Sequence, residues 1–152
     1  MDINKIFELD LSGFVPDLSQ LLDHSRLIVT LCVLVGPIVL LVLGALYLLL
    51  PPKEANHKFG FRTYYGIGSV EAWRFTQKVG GGMFVCLGVA LVLAMLVVVS
   101  NFSTKDPFQM VMIAAECMLW QAGSVLVARF LTAFVAAIVF DSYGDRRREK
   151  RM

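Results

Sequence analysis

Residues 27–50 read LIVTLCVLVGPIVLLVLGALYLLL, a run without a single charged side chain. At about 1.5 Å per residue, a helix over this run would cross a hydrocarbon core of about 30 Å. The chain of 152 residues is 57% hydrophobic and has a mean hydropathy of +0.70, which is too apolar for an ordinary soluble domain. The sequence therefore predicts an all-α integral membrane protein whose first transmembrane helix covers residues 27–50.

Two more apolar runs follow in the chain. Residues 79–100 are free of charge and open with Gly80-Gly81-Gly82, which indicates either a close helix contact or a hinge. The run over residues 108–140 is longer than one crossing requires, and its span is predicted at about residues 116–140. The prediction is thus a three-helix membrane domain over residues 27–140, with a polar loop at residues 51–78.

Charge segregates along the chain and predicts its orientation. Residues 1–26 form an acidic arm, whose helically spaced apolar residues leave an interfacial helix and a disordered arm as alternatives. Residues 141–152 form a basic tail. Lysine and arginine concentrate in that tail and in the loop, where they are Lys53, Lys58, Arg62, Arg74 and Lys78. The positive-inside rule then places the N-terminus outside and both the loop and the C-terminus in the cytoplasm.

Three polar residues interrupt the last apolar run, namely Glu116, Gln121 and Arg129. A charged side chain at this depth needs a partner, and thirteen residues at 100° each place Glu116 and Arg129 on nearly opposite faces, about 20 Å apart. The candidate partners of Arg129 are polar groups on the other two helices, another protomer, or a ligand. These residues leave one functional alternative, a small transporter or lipid-handling protein. Transport would require a homo-oligomer, because three helices are too few to enclose a pathway.

The polar loop contains signals for the start of a helix. Ser69 is a good N-cap and Glu71 would lie in the first turn, where the helix dipole favours a carboxylate. A helix is therefore predicted to begin near Val70 and to run into the second span. Its residues Trp73, Gln77 and Gly80 would share one face. The two roles open to Trp73 are an anchor at the membrane interface and a platform for ligand stacking.

Upstream of that helix the loop combines glycines with basic residues. Gly60, Gly66 and Gly68 permit tight turns, and positive charge beside Tyr64 and Tyr65 comes from Lys58, Arg62 and Arg74. Backbone amides and an arginine fork could together bind an anion such as a lipid phosphate or a peptide carboxylate. The alternative is that the basic residues only determine the topology.

Catalytic chemistry has little support in the sequence. His24 and His57 are isolated, on opposite sides of the predicted membrane, and the cysteines Cys32, Cys86 and Cys117 fall one to each apolar run. No metal-ligand spacing and no nucleophile with a nearby base is present. We therefore expect no enzyme activity, no catalytic residues, and no metal or cofactor. The short basic tail is not expected to bind nucleic acid.

The loop carries a pattern of residues at fixed offsets: Pro51-Pro52-Lys53, Asn56, Gly60-Phe61-Arg62-Thr63, Glu71-Ala72-Trp73-Arg74-Phe75-Thr76 and Gly80. This pattern between two membrane spans resembles the signature of the SdpI/YfhL family of small bacterial membrane proteins. The resemblance implies that the motif positions, and candidate ligand-binding residues, are Asn56, Gly60, Arg62, Thr63, Glu71 and Trp73.

The same resemblance implies a function and a location. A family member protects the producing cell against a secreted killing peptide and also signals by holding a repressor at the membrane. The expectation for this chain is an immunity or resistance protein of the bacterial plasma membrane. Its implied partners are membrane lipids, a toxin peptide and a cytoplasmic regulator.

Overall fold

A computed structural model describes residues 18–51 and 60–147, with side chains from residue 24 onward. Three long helices follow one another: α1 over Leu18–Leu49, α2 over Val70–Ser100 and α3 over Pro107–Val139. A short 3₁₀ turn, Phe102–Thr104, connects α2 to α3. Each of the three helices is long and apolar enough to span a membrane, so the predicted all-α, three-span class is confirmed.

The start of α2 agrees with the capping signals in the sequence. Ser69 has an extended backbone, and its hydroxyl accepts a hydrogen bond of 3.1 Å from the amide of Ala72. Glu71 lies in the first turn. The N-cap satisfies one of the amides that an α-helix leaves without a partner, which fixes the start of α2 at Val70.

The helices extend beyond the predicted spans. They begin at Leu18, Val70 and Pro107, whereas the spans were predicted to begin at about residues 27, 79 and 116. The difference arises because an apolar run marks where charge ends, while the backbone hydrogen bonds of a helix continue into the polar interface. With 31 to 33 residues each, the helices are nearly 50 Å long and project beyond a core of about 30 Å. Residues 18–26 of the predicted acidic arm are therefore part of α1, and residues 1–17 lie outside the described part of the chain.

Helices α1 and α2 approach closely at two glycines. A Cβ atom on Gly44 would come within 2.7 Å of the amide nitrogen of Val85, and one on Gly81 would lie 3.1 Å from the carbonyl oxygen of Gly44. Small residues permit this backbone approach between membrane helices. Of the two interpretations of Gly80-Gly81-Gly82, the structure supports close packing, since α2 continues as one helix through all three glycines.

The outer surface of the bundle is apolar. Large side chains such as Leu31, Leu93 and Phe130 are exposed, whereas the buried residues of α3 recur at helical spacing along one face. A soluble monomer rarely exposes apolar patches of this extent, and hydrocarbon is the solvent that suits them. The molecule is a multi-pass membrane protein.

The alternating helices give the bundle two polar ends. We name the motif end by residues 60–78 and 140–147, which lie together beside the last turns of α1 and α3. The opposite end holds residues 24–26 and 100–107, where Arg26 donates a hydrogen bond of 3.2 Å to the carbonyl of Ser103.

Candidate functional site

The described part of the loop before α2, residues 60–69, is called the motif loop. It is fixed to α2 by a pair of hydrogen bonds from one side chain. The Gln77 amide accepts from the backbone N–H of Phe61 at 2.9 Å and donates to the carbonyl of Phe61 at 3.1 Å. Gln77 is fully buried. Its side chain therefore pairs with the loop backbone in the way that a neighbouring strand would, and it satisfies two polar groups that burial would otherwise leave unpaired.

Gly60 is required by its conformation and by its surroundings. Its φ angle is +117°, a region that residues with a Cβ atom rarely adopt. A Cβ atom there would lie 2.8 Å from Cη2 of Trp73 and 2.9 Å from Oε1 of Gln77. Trp73 is itself fully buried beneath the loop. Its ring is therefore a packing element of the loop, which differs from both roles expected for it, interface anchor and ligand platform.

The next residue, Phe61, inserts its ring between α1 and α2. The ring stacks edge to face with Tyr47 and Phe84, at centroid distances of 5.2 and 4.6 Å. A Cβ atom on Gly80 would come within 2.5–2.7 Å of three ring atoms. The ring therefore packs directly on the backbone of α2 at this glycine. Trp73, Gln77 and Gly80, expected to share a helix face, thus bind the loop of their own chain.

Thr63 closes a tight turn in the loop. Its buried hydroxyl accepts a hydrogen bond of 3.0 Å from the amide of Gly66, which also lies 3.1 Å from the carbonyl oxygen of Thr63. The amides of Phe61 and Gly66 are therefore occupied, the first by Gln77 and the second by Thr63. These two amides are not available to the anion site expected in the loop.

The chain after α3 folds into a compact turn. Asp141 accepts hydrogen bonds of 3.0 Å from the amides of both Tyr143 and Asp145, and Phe140 is fully buried with its ring 5.3 Å from that of Phe75. The prediction for this segment was a basic tail without a turn. An aspartate at residue 141 and a glycine at residue 144 are typical turn residues, and they were the signal for this structure.

That turn docks on the start of α2. The hydroxyl of Ser69 donates a hydrogen bond of 2.7 Å to the carbonyl of Gly144, while its oxygen also caps the helix. Glu71, one of the motif residues, forms an ion pair with Arg146 across the same contact. Both side chains are about half exposed, so the pair contributes little to stability and mainly complements the packing of the turn.

Arg62 and Arg129 line one cleft between the motif loop and α3. The cleft has a volume of about 260 Å³, and its other lining residues include Thr63, Leu126, Phe130 and Ala133. Within residues 24–51 and 60–147, neither guanidinium has an ion pair or hydrogen bond with another side chain or carbonyl. Arg129 therefore meets a second cation of the motif, and no polar group on the described parts of α1 or α2 neutralises it.

Gln121 has a different partner from Arg129. Its amide donates a hydrogen bond of 3.0 Å to the carbonyl of Val33 on α1. Glu116 is exposed on another side of α3. The three polar residues of this helix thus lie in different surroundings and do not form one polar path through a single chain. Asn56, the remaining predicted motif residue, lies outside the described residues.

This fold and this packed loop define a small three-helix membrane protein with a structured polar end. The sequence match agrees with that class, since residues 53–143, more than half of the chain, match the SdpI/YfhL protein family. The chain belongs to this family, which confirms the resemblance of its motif residues. The matched region contains the loop, α2 and α3, and it ends inside the turn that docks on α2. No curated protein and no solved structure matches the chain.

Proposed function

We propose that this protein is an immunity-type protein of the bacterial plasma membrane that protects its cell against a secreted, membrane-active toxin peptide. The observation that carries the proposal is the family match over residues 53–143, which spans the motif loop from residue 60 onward and the first half of the turn after α3. A second support is the packing of the motif residues. Gly60, Thr63 and Trp73 hold the loop in one conformation on α2, as a preorganised binding surface requires.

The exposed side of the loop is the surface that we assign to the partner. Arg62, Tyr64 and Ile67 are exposed there, beside a backbone whose amides at Phe61 and Gly66 are already bonded. An arginine with flanking aromatic and aliphatic side chains suits a partner that offers an anionic group on an apolar body. A membrane-active peptide that carries a carboxylate would meet this description, and so would an acidic, partly apolar surface of a cytoplasmic regulator.

The proposed orientation constrains how protection works. With the N-terminus outside and the motif end in the cytoplasm, a toxin that arrives from outside meets the opposite end of the bundle first. Protection would then act within the bilayer or by signalling from the motif end. Direct capture of the toxin in the external solution does not fit this orientation.

A survival assay tests the proposal. A sensitive bacterium expresses the wild-type protein, Arg62→Ala or Lys78→Ala and is challenged with a secreted membrane-active killing peptide. Lys78 is the control, since it is an exposed cation at the same end that lies outside the family pattern and does not line the cleft of Arg62. We expect protection by the wild type and by Lys78→Ala, and its loss in Arg62→Ala at equal abundance in the membrane. Equal survival of all three strains and of cells without the protein would contradict an immunity function against that peptide.

The alternative of an oligomeric transporter has weaker support. It relied on the polar residues of α3, and Gln121 is bonded to α1 while Glu116 faces outward. Cross-linking in membranes that detects only monomers would exclude it. The absence of enzyme activity, of a cofactor and of a nucleic-acid partner stays a prediction from the sequence.

A further inference from the structure

Two positive charges line the cleft between the motif loop and α3. Arg62 enters it from the loop and Arg129 from the helix, and its lining among the described residues includes no aspartate or glutamate. Two guanidinium groups that face one small space repel each other, most strongly where the surroundings are apolar. An anion between them would remove this repulsion, and the planar fork of arginine matches the geometry of phosphate or carboxylate oxygens.

The depth of the cleft points to the headgroup region of a bilayer. If the core of about 30 Å is centred on α3, it covers about 20 residues around Gly123, and Arg129 lies about 9 Å from the centre toward the motif end. An arginine side chain can extend several ångströms further to reach the interface. Arg62 approaches the same level, because the neighbouring Phe61 packs against Phe84 and Ala128 inside the bundle.

The walls of the cleft suit a lipid. Leu126 and Phe130 are 68% and 74% exposed on the outer surface of α3, where hydrocarbon is the solvent. The cleft of about 260 Å³ is smaller than the pockets of about 300–1,000 Å³ that enclose drug-sized ligands. It has room for a phosphate group but not for acyl chains, which would lie outside along Leu126 and Phe130.

We propose that this cleft binds the headgroup phosphate of one anionic membrane lipid, held by Arg62 and Arg129. The site shares Arg62 with the surface assigned to the immunity partner, but lipid binding is measured without a toxin, so a failure of this proposal and a failure of the immunity function can be distinguished. The site also supplies the partner that Arg129 lacks among the described residues.

The test is lipid binding by the full-length protein, purified in a neutral detergent and examined by native mass spectrometry. Phosphatidylglycerol is titrated against the wild type, Arg62→Gln, Arg129→Gln and the control Lys78→Gln, which removes an exposed cation outside the cleft. We expect one lipid to bind the wild type and Lys78→Gln with similar affinity. Because a hydrogen bond to a charged group contributes about 1.5–3 kcal/mol, each cleft variant should bind about tenfold more weakly or worse. Arg129→Lys keeps the charge without the fork, and it should bind with intermediate affinity.

Two further ligands distinguish a lipid phosphate from acyl chains alone and from a free phosphate ion. Diacylglycerol with the same acyl chains should not bind at this stoichiometry, and inorganic phosphate should not displace phosphatidylglycerol. Equal affinity of all the variants, equal binding of diacylglycerol, or displacement by inorganic phosphate would each overturn the proposal. Circular dichroism of the variants shows that any lost binding is not lost folding. An Arg129→Gln variant that fails to fold is replaced by Arg129→Lys and Arg62→Gln, which decide the question together.

Discussion

The side-chain amide of Gln121 donates its hydrogen bond to the main-chain carbonyl of Val33, 3.0 Å away on the neighbouring helix. In an unbroken helix, this carbonyl would accept from the amide of the residue four positions later. That residue is Pro37, which has no N–H. Gln121 therefore supplies, within the membrane, the donor that the proline removes from α1.

Replacing Gln121 by leucine should destabilise the fold, because the carbonyl of Val33 would lose its donor in an apolar environment. We expect a loss of about 1–2 kcal/mol in the free energy of unfolding, measured by titration with sodium dodecyl sulfate. In a Pro37→Ala background the same substitution should cost less, because the alanine restores a backbone N–H that can donate to the carbonyl of Val33. Gln109→Leu, at an exposed position outside the bundle core, is the control and should change stability by about 0.5 kcal/mol at most. Equal costs of Gln121→Leu in both backgrounds would show that the two features are independent.

The conformation of Gly60 predicts a contrast between two glycine substitutions. Gly60→Ala would place a Cβ atom against Trp73 at a positive φ angle, and we expect it to cost about 1–3 kcal/mol and to expose the loop to protease. Gly82→Ala is the matched change, since a Cβ atom there meets nothing within 4 Å and alanine favours a helix by about 1 kcal/mol. If Gly60→Ala leaves protease resistance and stability unchanged, the loop is not held in this conformation.

Two residues hold the turn after α3 by different forces. Phe140 is fully buried against Phe75, so Phe140→Ala should lower the free energy of unfolding by about 3 kcal/mol. Glu71→Gln removes a half-exposed ion pair with Arg146 and should cost less than about 1 kcal/mol. Urea or detergent titration of both variants gives the comparison. A larger effect of Glu71→Gln would mean that charge, and not packing, docks the turn.

The orientation of the chain can be tested by labelling single cysteines in a variant without Cys32, Cys86 and Cys117. Tyr64→Cys lies at the motif end and Ser103→Cys at the opposite end, and both positions are exposed. With the motif end in the cytoplasm, a membrane-impermeant maleimide should label Ser103→Cys in intact cells and Tyr64→Cys only after permeabilisation. The reverse pattern would invert the topology.

The sequence was sufficient for the helices, because charge-free runs and the cap at Ser69 have local causes. The helix face of Trp73, Gln77 and Gly80 also followed from spacing alone. Spacing could not show what packs on that face. It is the backbone of Phe61, which reaches the face because Gly60 adopts a positive φ angle.

Contacts between distant parts of the chain were less accessible to sequence analysis. Gln121 and Pro37 are both conspicuous in apolar runs, yet their connection through Val33 depends on the register of α1 against α3. The shared cleft of Arg62 and Arg129 likewise depends on how far the loop descends between the helices. Such registers are set by packing, which is a property of the assembled bundle.

Helix α2 runs from Val70 to Ser100, about 46 Å at 1.5 Å per residue; its Gly80 packs against Phe61 and its Gly81 against α1. It contains no proline, and Gln77 ties the motif loop to its first turns. We expect such a helix to tilt or turn as one rigid element, because no proline interrupts its backbone hydrogen bonds. A molecule that tilts or turns it at one surface of the bilayer would then shift the loop at the other surface. In that way one helix would connect the two aqueous compartments mechanically.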